Sequence, residues 1–131
     1  MKNLFVLAFA FITGSISAQS IVSADTINSP TPDKNYVRVL HHDSLSSSFV
    51  IIIPKEVKAH YHASHTEQVV VLSGEADMVL GDQQLHIKAG DVIIIPKGTK
   101  HSVVVTSEDP LKIISIQAPY FDGSDRVMLE K

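Results

Sequence analysis

From residue 36 onward the chain is written in short apolar runs, each stopped by Gly, Pro or a polar pair. Residues 36–40 alternate at period two, 48–53 end at Pro54, 68–72 run to Gly74, and 76–80 end at Gly81-Asp82. Residues 83–87 follow at once, so Gly81-Asp82 predicts the two-residue turn of a hairpin. Gly90-Asp91 opens 92–95, Pro96 closes it, and 101–106 and 111–117 complete the set. No stretch sustains a 3.6-residue apolar period, which predicts that helices play no structural part. Many short strands at this spacing predict an all-β fold, a double-sheet jelly roll or closed barrel that protects its strand edges. Residues 49–53 and 92–95 are apolar at every position rather than at alternate ones. A strand with one face in water should alternate, so both faces of these two need cover. Pairing of outer sheets in a homodimer is the expected cover. The alternative is that residues 19–35 fold back over their own domain.

The ends of the chain divide the rest. Lys2 precedes an unbroken apolar run, 4–12, followed by Thr13-Gly14 and the small-residue segment 15–18. That layout predicts a secretory signal peptide over residues 1–18, cut near Ala18/Gln19. The apolar run is well short of the roughly 20 residues a spanning helix needs. A periplasmic or secreted protein, free of the membrane after cleavage, is therefore expected. Residues 19–35, polar and carrying Pro30 and Pro32, read as an extended arm; 36–118 as the β domain; 119–131 as a C-terminal tail.

Composition narrows the function classes. The chain is 44% hydrophobic and 19% charged, which excludes a disordered protein. Its net charge is −3 with scattered basic residues, so no nucleic-acid partner is expected. Cysteine is absent, which excludes disulfides, thiol catalysis and thiolate metal sites. Seven histidines are the one oddity.

His60-Tyr61-His62 places two imidazoles two residues apart, on one side of a strand. Glu67 follows, and His101 opens a later run. If the strands carrying these residues lie together, three imidazoles and one carboxylate converge on an N/O site suited to a divalent transition metal. His65 lies in the turn between His62 and Glu67 and is expected to be exposed, the alternative being a supporting partner of the site. Gln68 should face away and stands in reserve for Glu67. One of His41 and His42 should point inward, and Asp77 is the other residue placed near an interior face. His86 should face solvent, and Tyr61 should point away from the site. Tyr120-Phe121 should pack over one end of the domain.

The spacing resembles the cupin superfamily. Its first motif is matched by His60-Tyr61-His62, Glu67 and Gly74, with Pro54 where the leading Gly stands. Its second is matched by Gly90, Pro96-Lys97-Gly98 and His101, with Val105 in place of the final Asn. The resemblance spans 36–117 and implies a small single-domain cupin, a double-stranded β-helix or jelly-roll barrel. It also implies one divalent metal (Zn, Mn, Ni or Fe(II)) on His60, His62, Glu67 and His101, and a small-molecule ligand. Three functions fit: an enzyme acting on a small sugar or uronate by isomerisation or ring opening, an Fe(II)-dependent dioxygenase, or a non-catalytic metal or ligand binder. Loss of the Asn at Val105 predicts a drier cavity.

Overall fold

The computed structural model describes residues 20–129. The expected signal peptide and its cleavage point lie outside them. Ten strands run in chain order: β1 (Tyr36–His42), β2 (Ser47–Ile53), β3 (Glu56–His62), β4 (Thr66–Ser73), β5 (Glu75–Leu80), β6 (Gln83–Lys88), β7 (Val92–Ile95), β8 (His101–Val105), β9 (Leu111–Ala118) and β10 (Arg126–Met128). The only helical element among the described residues is a 3-10 turn at Ala24–Thr26. All ladders are antiparallel, and they form two five-stranded sheets, β1-β2-β9-β4-β7 and β10-β3-β8-β5-β6.

The two sheets pack face to face as a sandwich and do not close into the expected barrel. Closure would need ladders between β7 and β6 and between β1 and β10, and neither pair is hydrogen-bonded. The chain instead crosses between sheets at corners. At one, Gly90 N–H donates to Val71 O and Lys88 N–H to the Asp91 carboxylate, which turns β6 into β7 without pairing them. The double-stranded β-helix expectation otherwise holds.

The strand patterns explain the layers. In β4, Glu67, Val69 and Val71 are buried in alternation, and in β9 Leu111, Ile113, Ser115 and Gln117 are. The inner faces meet in a core of Ile53, Val71, Met78, Ile87, Ile95 and Leu111 with their neighbours. Burying one such aliphatic side chain is worth roughly 1.5–3 kcal/mol. The hairpin of β5 and β6 turns on Gly81-Asp82 as expected, with Gly81 at φ +58. At the β4–β5 corner Gly74 has φ +81, and a Cβ there would lie 2.7 Å from the Pro110 carbonyl oxygen. Only glycine fits so close an approach.

The apolar run 49–53 of β2 has its two faces covered differently. Phe49, Ile51 and Ile53 face the interior, while Val50 and Ile52 pack outward against Ile27 and Ala24 of the arm. The arm thus folds over its own outer sheet. On β7, Val92 and Ile94 face outward and stay 60% and 52% exposed. At the other end the tail supplies β10, which pairs with β3 and places Arg126 opposite His62.

Candidate metal centre

The site lies at one end of the sandwich, between the layers. His60 and His62 end β3, His101 begins β8 directly opposite His60, and Glu67 begins β4 on the facing sheet. A β-bulge between Val57 and His60 sets their aim. By strict alternation Val57 and His60 would face opposite ways, and the bulge turns both inward, as bulges beside functional sites often do. Each imidazole is 4–6% exposed, and Glu67 is 6% exposed.

Hydrogen bonds fix the ring tautomers. His60 Nδ1–H donates to Lys58 O at 2.8 Å, and His101 Nδ1–H donates to Thr99 O at 2.9 Å. A carbonyl only accepts, so the proton sits on Nδ1 and Nε2 is turned to the centre. Donor atoms of His60, His62 and His101 all lie within 4.8 Å of one another. The Glu67 carboxylate joins them, with Oε2 3.4 Å from His101 Nε2 and 3.5 Å from His62 Nε2. Its other oxygen, Oε1, accepts a hydrogen bond from Ser115 Oγ–H at 2.5 Å.

The electrostatics follow from this geometry. Burial pushes His60 down to about 4, against the hydrogen bond to Lys58 O and with a further push from the Arg126 charge, so its ring is neutral at pH 7. Burial alone would raise the Glu67 carboxyl. The polar groups packed on it, His101, His62 and the Ser115 hydroxyl, outweigh burial and hold the group well below the usual carboxylate range. Imidazole nitrogens facing an ionised carboxylate oxygen at this distance are satisfied by a cation between them. The donor set of three N and one O fits a divalent transition metal.

A cavity of about 170 Å³ opens from this centre between the sheets. Its walls are chiefly aliphatic, including Ile53, Met78, Leu111 and Val103, whereas Val105 does not line it. Gln117 and Arg126 also line it. Gln117 is 4% exposed, and its Oε1 has no hydrogen-bond partner among the described residues; the same is true of His62 Nδ1.

Several candidates fall elsewhere. His41 and His42 are both exposed, His41 beside Asp43 and His42 edge-on to Tyr120, because the bulge between Val39 and His41 carries the end of β1 past the cavity. Asp77 also faces solvent and accepts from His86 Nδ1–H, whose ring is exposed as expected. Gln68 points outward.

His65 reverses its expectation: it is 8% exposed. Its Nδ1–H donates to Asp125 at 2.5 Å and its Nε2–H to Tyr120 O at 2.8 Å. Burial works against its charge, but Asp125 and the Tyr120 carbonyl lift it above its ordinary value. Those two bonds tie the tail to the β3–β4 turn. Phe121 is thereby held edge-on to His62, ring centroids 5.1 Å apart, over the end of the sandwich. Ser115, Gln117, Asp125 and Arg126 are the site residues that the sequence reading missed, and His65 takes the supporting role that was its alternative. The inward parity of 111–117 gave a signal for the first two, and nothing local signalled the tail.

Known proteins are similar to this chain in sequence and fold. An uncharacterized protein of Aquifex aeolicus is 36% identical over 84 residues, 64% of this chain and 69% of the relative. An uncharacterized conserved protein with a double-stranded β-helix domain from Klebsiella pneumoniae superposes with a TM-score of 0.74 at 26% identity, covering 87% of this chain and all of that one. Streptomyces Pac13, a nucleoside dehydratase, superposes with a TM-score of 0.68 at 13% identity over 86% of this chain and 92% of its own, a likeness of fold. The family model described as Cupin domain matches residues 48–117, a span that holds His60, His62, Glu67 and His101, and the chain belongs to the cupin family.

Proposed function

We propose that the protein is a metal-dependent enzyme acting on a small sugar or uronate, by isomerisation or ring opening, in the periplasm or outside the cell. The observation that carries this reading is the convergence of three buried imidazoles and an ionised, buried carboxylate in a largely apolar cavity between the sheets. His60, His62, His101 and Glu67 would hold one divalent ion, Zn, Mn, Ni or Fe(II). When bound, such an ion supplies Lewis acidity toward a carbonyl or hydroxyl oxygen.

The chain's own residues do the rest. Lys58 O and Thr99 O lock two rings through their Nδ1–H groups, and Ser115 holds one Glu67 oxygen so that the other faces the imidazoles. The aliphatic walls keep water from the substrate. Beyond the four ligands the described cavity wall carries no imidazole or carboxylate. The chain therefore brings no separate acid–base pair, which favours a reaction that moves a proton within the substrate or through solvent. The likeness to a nucleoside dehydratase supports a sugar-bearing substrate.

The apolar walls favour a second reading, an Fe(II)-dependent dioxygenase for a less polar substrate. The test is a screen of neutral sugars, uronates and phenols against protein loaded separately with each of the four metals, with and without O2. Turnover of a sugar or uronate without O2 supports the first reading. Turnover that needs both Fe(II) and O2 supports the second. Binding without turnover under every condition overturns both and leaves a non-catalytic binder.

A further inference from the structure

Arg126 opens β10, a strand that no motif touches, and it stands at the site. It pairs with His62 across the β10–β3 ladder, and directly opposed residues share a face, so it is presented on the side of the metal centre. It lines the cavity, and no described carboxylate lies within ion-pair distance of it. Its guanidinium is exposed to solvent at the rim, so it is open to an incoming ligand, and its planar fork of donors matches a carboxylate bidentately.

A second, independent group points into the same cavity. Gln117 is held on β9 opposite Glu67, is 96% buried by its 4% exposure, and leaves its Oε1 without a donor. A buried acceptor left unmade costs about 1–3 kcal/mol, which a ligand O–H would recover.

We infer that Arg126 and Gln117 form a recognition subsite for a hydroxycarboxylate, Arg126 taking the carboxylate and Gln117 Oε1 accepting from a neighbouring hydroxyl. This rests on the proposed function and narrows it, from sugars in general to sugar acids. The carboxylate end lies at the mouth beside His62, and the aliphatic walls receive the less polar remainder. The subsite is assembled only when the tail is in place, because β10 carries Arg126 and the His65–Asp125 bond anchors the segment before it.

The probes are D-galacturonate and D-galactose, which differ in a carboxylate against a hydroxymethyl group. Calorimetry on the metal-loaded full chain should show at least tenfold tighter binding of the acid. Arg126→Gln should erase that preference by about ten- to a hundredfold, with galactose binding and metal content unchanged. Arg126→Lys should keep part of it. Gln117→Leu should weaken both sugars, again with metal content unchanged. Equal affinity for acid and neutral sugar, no binding of the acid, or a preference that survives Arg126→Gln each overturns the assignment to Arg126. Loss of metal from Gln117→Leu overturns the role given to Gln117. If the wild type takes up no metal but keeps an acid preference that Arg126→Gln removes, the metal-enzyme reading fails and the subsite stands.

Discussion

Ser115→Ala tests how the site is held together. Ser115 is fully buried, and its hydroxyl is the one described neutral donor on the Glu67 carboxylate. Hydrogen bonds to charged groups contribute about 1.5–3 kcal/mol. The substitution removes one oxygen in a site that cannot admit bulk water, so a loss near 2 kcal/mol is expected. In a domain of this size that lowers the apo-protein's Tm by about 8 °C. Because the bond stabilises the ionised carboxylate, losing it raises the folded-state pKa of Glu67. The group's stabilisation is present above its unfolded value and is lost as pH falls through the folded one. The gap between variant and wild type is therefore full at pH 7, persists through the usual carboxylate range and narrows only below it, where the variant's carboxyl takes up its proton first. The same change frees Glu67 to rotate. Partners that orient a ligand typically matter ten- to a hundredfold in metal affinity. Thermal melts at pH 7 and pH 3, with chelator competition at pH 7, read both effects. An unchanged Tm would refute the bond, and a lowered Tm with unchanged metal affinity would refute Glu67 as a ligand.

Three further outcomes are expected. Gly74→Ala should cost about 2 kcal/mol or more beyond Gly90→Ala in urea denaturation, since a Cβ at Gly74 meets Pro110 O and Leu111 Cα within 2.8 Å whereas one at Gly90 meets nothing within 4 Å. Apo-protein stability should fall as pH drops from about 6.5 to 4, because the unfolded chain protonates His60 before the folded one does; a flat urea midpoint across that range contradicts the neutral buried ring. With Ile52 covered by the arm and Ile94 left 52% exposed, pairing of two copies should run through β7. Sedimentation should show a dimer that Ile94→Glu converts to monomer, and a wild-type monomer contradicts it.

Much of the site was legible because its signals are local. His60 and His62 share a strand, Glu67 opens the next, and the Gly90 to His101 stretch is one strand and one turn. Period two and turn chemistry were enough to place them. The bulge at 58–59 could not be read, although without it β3 would not present Val57 and His60 on one face. The tail was illegible for a different reason. Residues 126–128 are too few to announce a strand, and their pairing with β3 spans 64 residues between Arg126 and His62. His65 looked like an exposed turn residue because its partners, Asp125 and Tyr120, arrive with that tail. The arm's cover over Val50 and Ile52 rests on Ile27 and Ala24, isolated apolar residues without strand or helix periodicity in a mostly polar segment. Barrel closure was overestimated because apolar patterning fixes which face is inward and is silent on whether sheet edges meet.

The central claim, a divalent metal on His60, His62, Glu67 and His101, is tested most directly by elemental analysis of purified wild type, His62→Ala and His86→Ala. The wild type and His86→Ala should carry close to one metal ion per chain, and His62→Ala should carry far less. His86 is exposed and bound only to surface carboxylates, so its loss leaves the centre intact. Equal metal content in all three proteins, or equal loss in both variants, would contradict the assignment.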